Sequence, residues 1–563
     1  MAYTKIDSPV EEKFNDVRSA PYGRRLMTSL IDSYAEHEPD RVYASIPIND
    51  DDLSQGYRDI SFFQFAAAIN RAAHWLDSTL GKVDRKPGDP FDTFAYTGPR
   101  DLRYPILVVA ASKVGRRVVM PSLLASVEAQ VHIANVARCT TFICGADYPF
   151  IPAVANQIPG SKIIKAPSWE ELLAEPDSAP RYPYTKSFEE AKNDEIFIFH
   201  TSGSTGLPKV YTTTQGMQAR IDKTNEFKND KPRIVVDMEP GSRIYCSIPV
   251  FHSAGMNLAL SSTLHFGQIF VYGPSKGPVS REAAIEVYKY GKLDGGVHPP
   301  FLIEDMLRDP VGRDLLSKIK YAMFGGAPLS KAAGDTLASF GNAFPAMGST
   351  EGSVWITHAP VDQRDWQYYS FHRVMSVEFE HHVGPYHELI IKRTPLSEAY
   401  TVFFDAVPSA KDEFRTKDLY SRHPDPAKSH LWKYEGRTDD LVVLSGEVKM
   451  YAATLEEQLR SVPGVKHALV GGQQRPVPFL LIERVDEPQT EEQAQKLLSD
   501  IWPAIEEHNR NVLETTQLRW QLAMVAPKDR PFVRSGKGSV DRRNTFKEFE
   551  KEIAQLYEQA GFK

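Results

Sequence analysis

The sequence has few cysteines. Its 563 residues include only Cys139, Cys144 and Cys246, and no two of them form a CxxC pair. Three cysteines cannot build a disulfide framework, and structural zinc sites usually need paired CxxC ligands. We therefore expect a protein of a reducing compartment without a structural zinc ion.

The sequence also lacks a long apolar run. The first twenty residues contain no apolar core of the kind found in signal peptides. The longest apolar stretch, residues 105–125, is interrupted by Lys113, Arg116 and Arg117, so it is too short and too charged to span a bilayer. We expect a soluble, cytoplasmic protein with no membrane association.

An excess of basic charge is absent as well. Lys plus Arg is 66 and Asp plus Glu is 73, which gives a formal net charge of −7. Nucleic-acid-binding proteins usually carry a basic surface, so we expect no nucleic-acid partner. The 42% hydrophobic and 25% charged residues are typical of a globular chain rather than a disordered one.

Hydrophobic periodicity predicts an α/β fold. Residues 61–80 place apolar side chains on one face of an amphipathic helix. Short apolar runs of strand length occur at 105–111, 116–120, 141–145, 161–166, 195–201, 242–250, 268–273 and 321–326. Because helical patterns separate most of these runs, we predict layered α/β sheets that are buried and mostly parallel.

The pattern changes near Gly436. Residues 435–450 read as a turn followed by a strand. Beyond them the sequence predicts a helix at 452–461, strands near 466–471 and 478–484, a helix near 489–512, and a basic tail with a final amphipathic segment. We predict a large N-terminal domain, 1–436, and a small α+β domain, 437–563.

One loop predicts phosphate binding. An apolar strand at 195–200 leads directly into the sequence TSGSTGLPK at 201–209. Glycines let backbone N–H groups approach phosphate oxygens, while hydroxyl groups and a lysine add donors and positive charge. The loop is not of the Walker A type, because Lys209 follows a proline.

This string resembles the signature of the adenylate-forming superfamily, which includes acyl- and aryl-CoA ligases, luciferase-like enzymes and the adenylation domains of nonribosomal peptide synthetases. Such enzymes join a carboxylate to ATP, release pyrophosphate, and transfer the acyl group of the acyl-AMP to a thiol. Other segments resemble the remaining family motifs in the expected order: IPVFHSAGM (248–256), FGGAP (324–328), MGSTE (347–351), TKDLY (416–420), GRTDD (436–440) and SGK (535–537).

The resemblance implies ATP and Mg²⁺ as cofactors and assigns roles to single residues. Glu351 is the expected magnesium ligand, Thr350 an α-phosphate contact, and Lys537 the catalytic lysine of the C-terminal domain. His252 is included with this catalytic group because it either gates the path from ATP to the acyl pocket or stacks there. The expected ATP- and AMP-binding residues are Thr201, Ser202, Gly203, Ser204, Thr205, Gly206, Lys209, Gly325, Gly326, Ala327, Met347, Gly348, Ser349, Asp418 and Arg437.

The resemblance also implies that the small domain rotates between the two half-reactions. Asp439 matches the hinge residue, and Gly446 matches the glycine beside which a pantetheine arm passes. Simpler interpretations remain for several positions. Asp418 could cap a helix or form a surface ion pair, Asp439 could only form a turn, and the arginines near Lys537 could be a basic surface run.

The acyl-pocket motif bears on the substrate. Domains that activate α-amino acids carry an aspartate where this sequence has His252, and a buried ammonium without a partner is costly. We therefore expect an aryl or medium-sized apolar acid rather than an α-amino acid. The expected pocket residues are His252, Ser253, Met256, Val297, Met323, Ala346, Val354 and Trp355. For Met256 and Trp355, packing in the core is an equally good interpretation.

Finer features resemble the adenylation domains of fungal NRPS-like adenylation–carrier–reductase proteins, which reduce carboxylic acids. These features include His200 before the loop and the segments 25–47, 416–424, 431–447 and 536–543. Two departures concern the thiol side: the sequence LSGEVKM lacks the Asn of LSNGEK, and Met450-Tyr451 replaces Asn-Pro.

The sequence contains neither an LGGxS carrier motif nor a GxGxxG reductase fingerprint. We therefore expect either the first domain of a longer protein, serving the phosphopantetheine thiol of a carrier, or a stand-alone ligase that uses CoA or a separate carrier. A non-catalytic nucleotide- or acyl-binding module that kept the fold is disfavoured by the presence of Glu351, Asp418 and Lys537.

Overall fold

The computed structural model describes residues 16–86, 88–201, 207–438, 442–445, 449–450, 452–485, 490–534 and 540–562. Its first thirteen strands are β1 Val42–Pro47, β2 Tyr57–Ser61, β3 Asp92–Thr97, β4 Arg116–Val119, β5 Thr141–Cys144, β6 Lys162–Lys165, β7 Glu195–His200, β8 Val210–Thr214, β9 Arg243–Cys246, β10 Ile269–Val271, β11 Gly295–His298, β12 Tyr321–Phe324 and β13 Ala343–Pro345. The next are β14 Gly348–Ser349, β15 Ser353–Val354, β16 Tyr368–Tyr369, β17 Val377–Val383, β18 Tyr386–Lys392, β19 Glu413–Arg422, β20 Trp432–Arg437, β21 Val442–Val443, β22 Lys449–Met450, β23 Val465–Gly471, β24 Phe479–Arg484 and β25 Ala523–Val525.

The helices follow the same chain order. They are α1 Met27–His37, α2 Phe62–Leu80, α3 Arg103–Lys113, α4 Val127–Val136, α5 Phe150–Ala155, α6 Trp169–Leu173, α7 Phe188–Ala191, α8 Gln215–Ile221, α9 Ser253–Asn257, α10 Thr263–His265, α11 Arg281–Tyr290, α12 Pro300–Arg308, α13 Pro310–Lys318, α14 Lys331–Phe340, α15 Pro395–Tyr400, α16 Phe403–Ala406, α17 Ala453–Arg460, α18 Glu491–Asn509, α19 Arg542–Glu548 and α20 Glu550–Gln559. A π-helical turn, Leu258–Ser262, joins α9 to α10.

Two large sheets contain the predicted parallel strands. The first has the order β13-β12-β11-β9-β10-β1-β2 and the second β6-β5-β3-β4-β7-β8. Neighbours are parallel except for the last pair of each sheet, β1–β2 and β7–β8. Seven of the eight apolar runs became strands of these sheets, so the prediction of an α/β fold with mostly parallel sheets is confirmed.

The eighth run was predicted wrongly. Residues 105–111 lie within helix α3, not in a strand. Every residue of α3 is buried, and its apolar side chains join a core that includes residues of both large sheets. A helix buried on all sides shows no amphipathic period, so its sequence cannot be distinguished from that of a buried strand.

Helix α2 forms as predicted over 61–80. Ser61 caps its N-terminus, since the Ser61 hydroxyl accepts a hydrogen bond from the Gln64 amide, and the Gln64 side chain accepts from the Ser61 amide. Such a capping box satisfies amide groups that have no partner inside the helix.

A third sheet was not predicted. Its order is β16-β20-β19-β18-β17, and all neighbours are antiparallel. One face packs on an aromatic core that includes Trp355, Phe403, Tyr420 and Trp432. The sheet matters for the site because it carries the two candidate ribose-side residues on β19 and β20.

The chain after residue 441 forms its own sheet and cores. Strands β23, β24 and β25 pair in that order, and α17 and α18 supply leucine and isoleucine side chains to a separate hydrophobic cluster. The predicted helices and strands of this region are present within one to three residues of their expected bounds. The final amphipathic segment differs, because it breaks at Phe549 into α19 and α20.

Among the described residues, no helix combines the length and the apolar character needed to cross a bilayer.

Candidate active site

A cavity of about 360 Å³ lies at the carboxyl ends of strands β11, β12 and β13. Its wall contains Val297 of β11, Met323 of β12 and Ala346, which follows β13. Carboxyl ends of adjacent parallel strands meet at one edge of a sheet, which is where α/β proteins usually bind ligands. The parallel order of the first sheet therefore brings together segments that are far apart in sequence.

The predicted adenine loop lines this cavity through Gly325, Gly326 and Ala327. A Cβ atom on Gly325 would lie 2.5 Å from the Ala346 carbonyl oxygen, and Gly326 has a φ of +84°. A side chain would clash at the first position and strain the backbone at the second. The two glycines let this loop run close to the segment after β13.

The MGSTE motif forms a tight hairpin on the cavity wall. Strands β14 and β15 pair Gly348 with Val354 and Ser349 with Ser353. Met347, Gly348, Ser349 and Thr350 all line the cavity. Glu351 lies at the turn of the hairpin, next to the cavity-lining residues Thr350 and Gly352.

Glu351 is connected to the strand that follows the predicted phosphate loop, residues 201–209. The Tyr211 hydroxyl of β8 donates a hydrogen bond to Glu351 Oε1 at 3.0 Å. Burial, followed by the negative charge of Glu351, raises the pKa of Tyr211. Tyr211 therefore stays protonated and remains a donor to this carboxylate at neutral pH.

The two ends of the phosphate loop are joined by hydrogen bonds. The Thr201 amide donates to the Lys209 carbonyl at 2.9 Å, and the Lys209 amide donates to the Thr201 hydroxyl at 3.1 Å. His200 Nε2 accepts a hydrogen bond from the Ser122 amide at 3.0 Å. The expected nucleotide contacts at 202–206, including Thr205, lie outside the described residues.

The two candidate ribose-side residues are neighbours across β19 and β20. Asp418 and Arg437 are paired in register, and Arg437 Nη1 donates to Asp418 Oδ1 at 3.3 Å. The Asp418 amide donates to the Thr416 hydroxyl at 3.0 Å. Gly436, directly before Arg437, lines the cavity. The structure thus brings this pair to the edge of the same cavity.

The C-terminal part of the chain supplies a further part of the cavity wall. Glu456, Glu457 and Arg460 of α17 line the cavity, as do His467 of β23 and Arg542 of α19. Arg542 Nη1 donates to Glu456 Oε1 at 2.8 Å, so these two charges compensate each other. Burial, followed by nearby arginine and lysine charges, lowers the pKa of His467, so this side chain is neutral.

Lys537 lies outside the described residues, but its flanking residues do not. Arg534 and Val540 form an isolated antiparallel bridge, and Val540 lines the cavity. Arg534 also pairs with Glu483 of β24. Asp439 and Gly446 likewise lie outside the described residues, so the hinge and pantetheine roles stay predictions.

Most of the expected acyl-pocket residues lie together. Those that line the cavity are His252, Ser253, Val297, Met323, Ala346, Val354 and Trp355. Met256 is fully buried in the core beneath α9, not among the lining residues. Trp355 also belongs to the aromatic core of the third sheet, where it packs edge-on against Phe403.

His252 has a structural role at the start of α9. Its Nδ1 accepts a hydrogen bond from the Ala254 amide at 3.2 Å, so the imidazole caps the helix and that nitrogen carries no proton. A ring held in this way remains at the cavity wall. The arrangement places no carboxylate at the position where amino-acid-activating domains carry one.

Sequence comparison agrees with this geometry. Residues 31–376 match the family model of the AMP-binding enzyme, and residues 439–561 match that of the AMP-binding enzyme C-terminal domain. The chain belongs to the AMP-binding enzyme family, within the adenylate-forming superfamily. It is an adenylate-forming ligase, and ATP use follows from that class.

Fungal proteins are among its relatives. It is 32% identical over 554 residues to a carboxylic acid reductase of Neurospora crassa, covering 96% of this chain and 51% of that protein. It is 26% identical over 565 residues to an adenylate-forming reductase of Heterobasidion annosum, covering 95% of this chain and 50% of that protein. The chain thus spans about half the length of these relatives. The predicted resemblance to reductase-type adenylation domains is confirmed.

Solved structures confirm the fold. The anthranilate CoA ligase AuaEII in complex with anthranoyl-AMP superposes with a TM-score of 0.71 at 14% identity, covering 96% of this chain and all of that one. ATP-bound MatB from Rhodopseudomonas palustris gives a TM-score of 0.67 at 14% identity, covering 95% and 100%.

Several residues of the cavity wall were not found from sequence. Asn257, Ser353 and Arg460 line the cavity but belong to no motif, and each has a hydrogen-bond partner far along the chain. Tyr211, which does not line the cavity but donates to Glu351, was missed as well. Tyr211 follows the phosphate loop by only a few residues, which is the one local signal that could have suggested it.

Proposed function

We propose that this chain activates an aryl or other non-α-amino carboxylic acid as acyl-AMP and then passes the acyl group to the phosphopantetheine thiol of a carrier domain that feeds a reductase. One observation carries the substrate proposal: the cavity beside the candidate nucleotide loops is lined on its acyl side by apolar and small side chains. The relatives named as reductases support the later steps.

The distribution of charged side chains around the cavity supports a substrate that has no α-amino group. The acidic residues that line it within the described part of the chain are Glu456 and Glu457, and both belong to α17 on the C-terminal side. Glu456 is already paired with Arg542. A substrate ammonium near His252 and Met323 would be buried without a counter-charge, which is strongly unfavourable.

Glu351 is our candidate for holding Mg²⁺. Its Oε1 accepts the hydrogen bond from Tyr211, while carboxylate oxygens have capacity for further ligands, so the group suits a hard cation. Bound Mg²⁺ would neutralise phosphate charge during attack of the carboxylate. We propose that Thr350, which lines the cavity beside Glu351, donates to a phosphate oxygen.

A second cation, besides Mg²⁺, is needed to neutralise the negative charge in this reaction, and Lys537 is our candidate. We propose that Lys537 approaches from the segment between Arg534 and Val540 and stabilises the negative charge shared by the attacking carboxylate and the α-phosphate. Asp418 would accept hydrogen bonds from the ribose hydroxyls, with Arg437 fixing its orientation. The protein then acts by positioning and electrostatics, with no covalent step on a side chain.

We also propose the division into a core, 1–436, and a C-terminal lid, 437–563, with Asp439 as the pivot. The separate sheet and hydrophobic clusters after residue 441 support this division. Between the two half-reactions, rotation of the lid would move the Lys537 segment away from the active site. The side of the lid along which the thiol enters would take its place.

Pyrophosphate exchange across a panel of aryl, aliphatic, α-keto and amino acids tests the first half-reaction. We expect exchange with aryl or medium-sized acids and none with α-amino acids. Exchange limited to amino acids would contradict the substrate class, and no exchange with any acid would favour a non-catalytic binding module.

The acceptor is tested separately. The pre-formed acyl-AMP enzyme is offered CoA in one reaction and a phosphopantetheinylated carrier in another. We expect rapid acylation of the carrier. Rapid acyl-CoA formation with no carrier acylation would favour the alternative function, a stand-alone aryl- or acyl-CoA ligase.

A further inference from the structure

A short series of hydrogen bonds runs through the wall of the cavity and ends at Ser353. The Ser261 hydroxyl donates to Gln218 Oε1 at 2.8 Å, and Gln218 Nε2 donates to Asn257 Oδ1 at 3.3 Å. Asn257 Nδ2 then donates to Ser353 Oγ at 3.0 Å. Each group gives its hydrogen to the next, and Ser353 is the last acceptor.

The inner members of this series are held firmly. Gln218, Asn257 and Ser261 are only 4%, 6% and 3% exposed. Buried amides of this kind are stable only when their hydrogen-bonding groups are satisfied, and linked hydrogen bonds strengthen one another. Asn257 and Ser261 lie at the π-helical turn Leu258–Ser262, an irregularity that is frequent at functional sites. The Asn257 amide therefore has a fixed orientation toward Ser353.

Ser353 has an unfavourable backbone conformation. Its φ is +57°, in the left-handed region where glycine is normally preferred. Such strain costs on the order of 1–3 kcal/mol and concentrates at ligand-binding sites. Glycine at this position would remove the strain, so what serine adds is its hydroxyl group.

The hydroxyl of Ser353 still has a hydrogen to donate. Its oxygen accepts from Asn257, and none of the described residues accepts its hydrogen. Ser353 lines the cavity. Other cavity hydroxyls are used within the protein: Thr224 donates to the Ile221 carbonyl at 2.8 Å and Thr401 to the Ser397 carbonyl at 2.6 Å. Ser253 and Ser262 also line the cavity, but no side chain of the described residues fixes them.

We propose that Ser353 donates a hydrogen bond to an oxygen on the acyl part of the substrate, so that the preferred acid carries a hydroxyl, methoxy or keto oxygen in addition to its carboxylate. This inference rests on the proposed function. A site built to donate to a substrate oxygen discriminates strongly against an analogue that lacks it, because the buried donor is then left without a partner.

The test compares two acids in pyrophosphate exchange: the best oxygenated acid of the panel and its analogue with hydrogen in place of that oxygen. We expect the wild type to favour the oxygenated acid by about 10-fold or more in kcat/KM. Ser353→Ala should bring this ratio of kcat/KM values near one, because neither acid then meets the hydroxyl donor. Ser339→Ala, at an exposed position of α14, is the matched control.

A second variant tests the direction of the hydrogen bonds. In Asn257→Asp, the carboxylate cannot donate to Ser353 but can accept its hydrogen, so the hydroxyl turns away from the substrate. We expect the same loss of preference with Ser353 still present. Melting temperatures of both variants establish that they are folded.

The outcomes separate this inference from the proposed function. An unchanged ratio in Ser353→Ala, or a best substrate without an acceptor oxygen, would overturn it. If Ser353→Ala instead lowered kcat/KM equally for both acids and raised the KM for ATP, the hydroxyl would bind the nucleotide, and this inference would be overturned as well. Absence of exchange with every acid would instead remove the proposed function itself.

Discussion

The hydroxyl of Tyr211 donates a hydrogen bond to the carboxylate of Glu351 at 3.0 Å, across 140 residues of sequence. Tyr211 belongs to β8, which begins directly after the phosphate loop, and Glu351 lies at the turn of the β14–β15 hairpin. The bond thus connects the loop predicted to bind phosphate with the residue predicted to hold Mg²⁺. It fixes one carboxylate oxygen and thereby orients the other.

Tyr211→Phe removes this orientation without creating a void. We expect the Mg²⁺ concentration for half-maximal pyrophosphate exchange to rise about 10-fold, since a hydrogen bond to a charged group contributes about 1.5–3 kcal/mol. Titration of Mg²⁺ at saturating ATP measures the effect. Tyr290→Phe, on α11 outside the cavity lining, is the control. An unaltered Mg²⁺ dependence would show that Tyr211 does not position Glu351.

Lys537→Ala should reduce acyl-AMP formation by at least about 100-fold, because the charge shared by carboxylate and α-phosphate loses its stabilising ammonium. The melting temperature should stay the same. Arg543→Ala is the matched control, since Arg543 is an exposed basic residue of the same tail. Normal adenylation by Lys537→Ala, or an equal loss in Arg543→Ala, would remove the proposed mechanism.

Glu304 of α12 connects the core to α17. Its Oε1 accepts hydrogen bonds from Arg460 and, at 2.9 Å, from the Ser330 amide, and the side chain is 6% exposed. Glu304→Ala should lower the free energy of unfolding by about 1–3 kcal/mol, because it leaves the buried Ser330 amide and the partly buried Arg460 guanidinium without this acceptor.

Glu304→Gln should cost less, since an amide oxygen still accepts from Ser330. Urea unfolding of both variants, with Arg460→Met and the double variant, gives the coupling between the two charges. Equal effects of the alanine and glutamine variants would mean that Ser330 contributes nothing, and zero coupling would mean that the ion pair is irrelevant to stability.

His298 predicts a pH dependence of stability. The ring lies between the Tyr288 hydroxyl at 2.7 Å and the Ser247 hydroxyl at 2.9 Å, and burial lowers its pKa to about 3. A histidine in the unfolded chain has a pKa of about 6.5. Between this pH and the lower pKa of the folded state, the unfolded state binds more protons than the folded state does. Stability is therefore lost on acidification and retained above that window.

In His298→Gln this loss should disappear, which makes the variant less sensitive to pH by up to about 1.4 kcal/mol per pH unit below 6.5. Urea midpoints between neutral pH and pH 5 measure the slope, and His382→Gln, at an exposed position, is the control. Parallel slopes for the wild type and His298→Gln would contradict the assignment.

The fold was predictable where local patterns carry the information. Helix α2 has a clear amphipathic period and a capping box, and seven strands appear as short apolar runs. Helix α3 was missed because it is buried on every side and has no period to detect. The antiparallel sheet β16–β20 was missed because its strands are partly exposed and separated by irregular segments.

For the site, the sequence identified segments by residue type and order. It could not show that Met256 packs in the core while Val297 and Met323 line the cavity, since all three are apolar and only the direction of each side chain differs. It gave no sign of Asn257 and Ser353, whose hydrogen bond joins residues 96 positions apart.

The class of chemistry could be inferred from short segments of the chain, because a glycine- and hydroxyl-rich loop after a strand, an acidic residue in the MGSTE motif and a distant lysine are local features. Which side chains meet at the cavity wall depends on how the chain folds. Parallel strands bring their carboxyl ends together regardless of their separation in the chain, and hydrogen bonds such as Tyr211–Glu351 and Asn257–Ser353 exist only after that assembly.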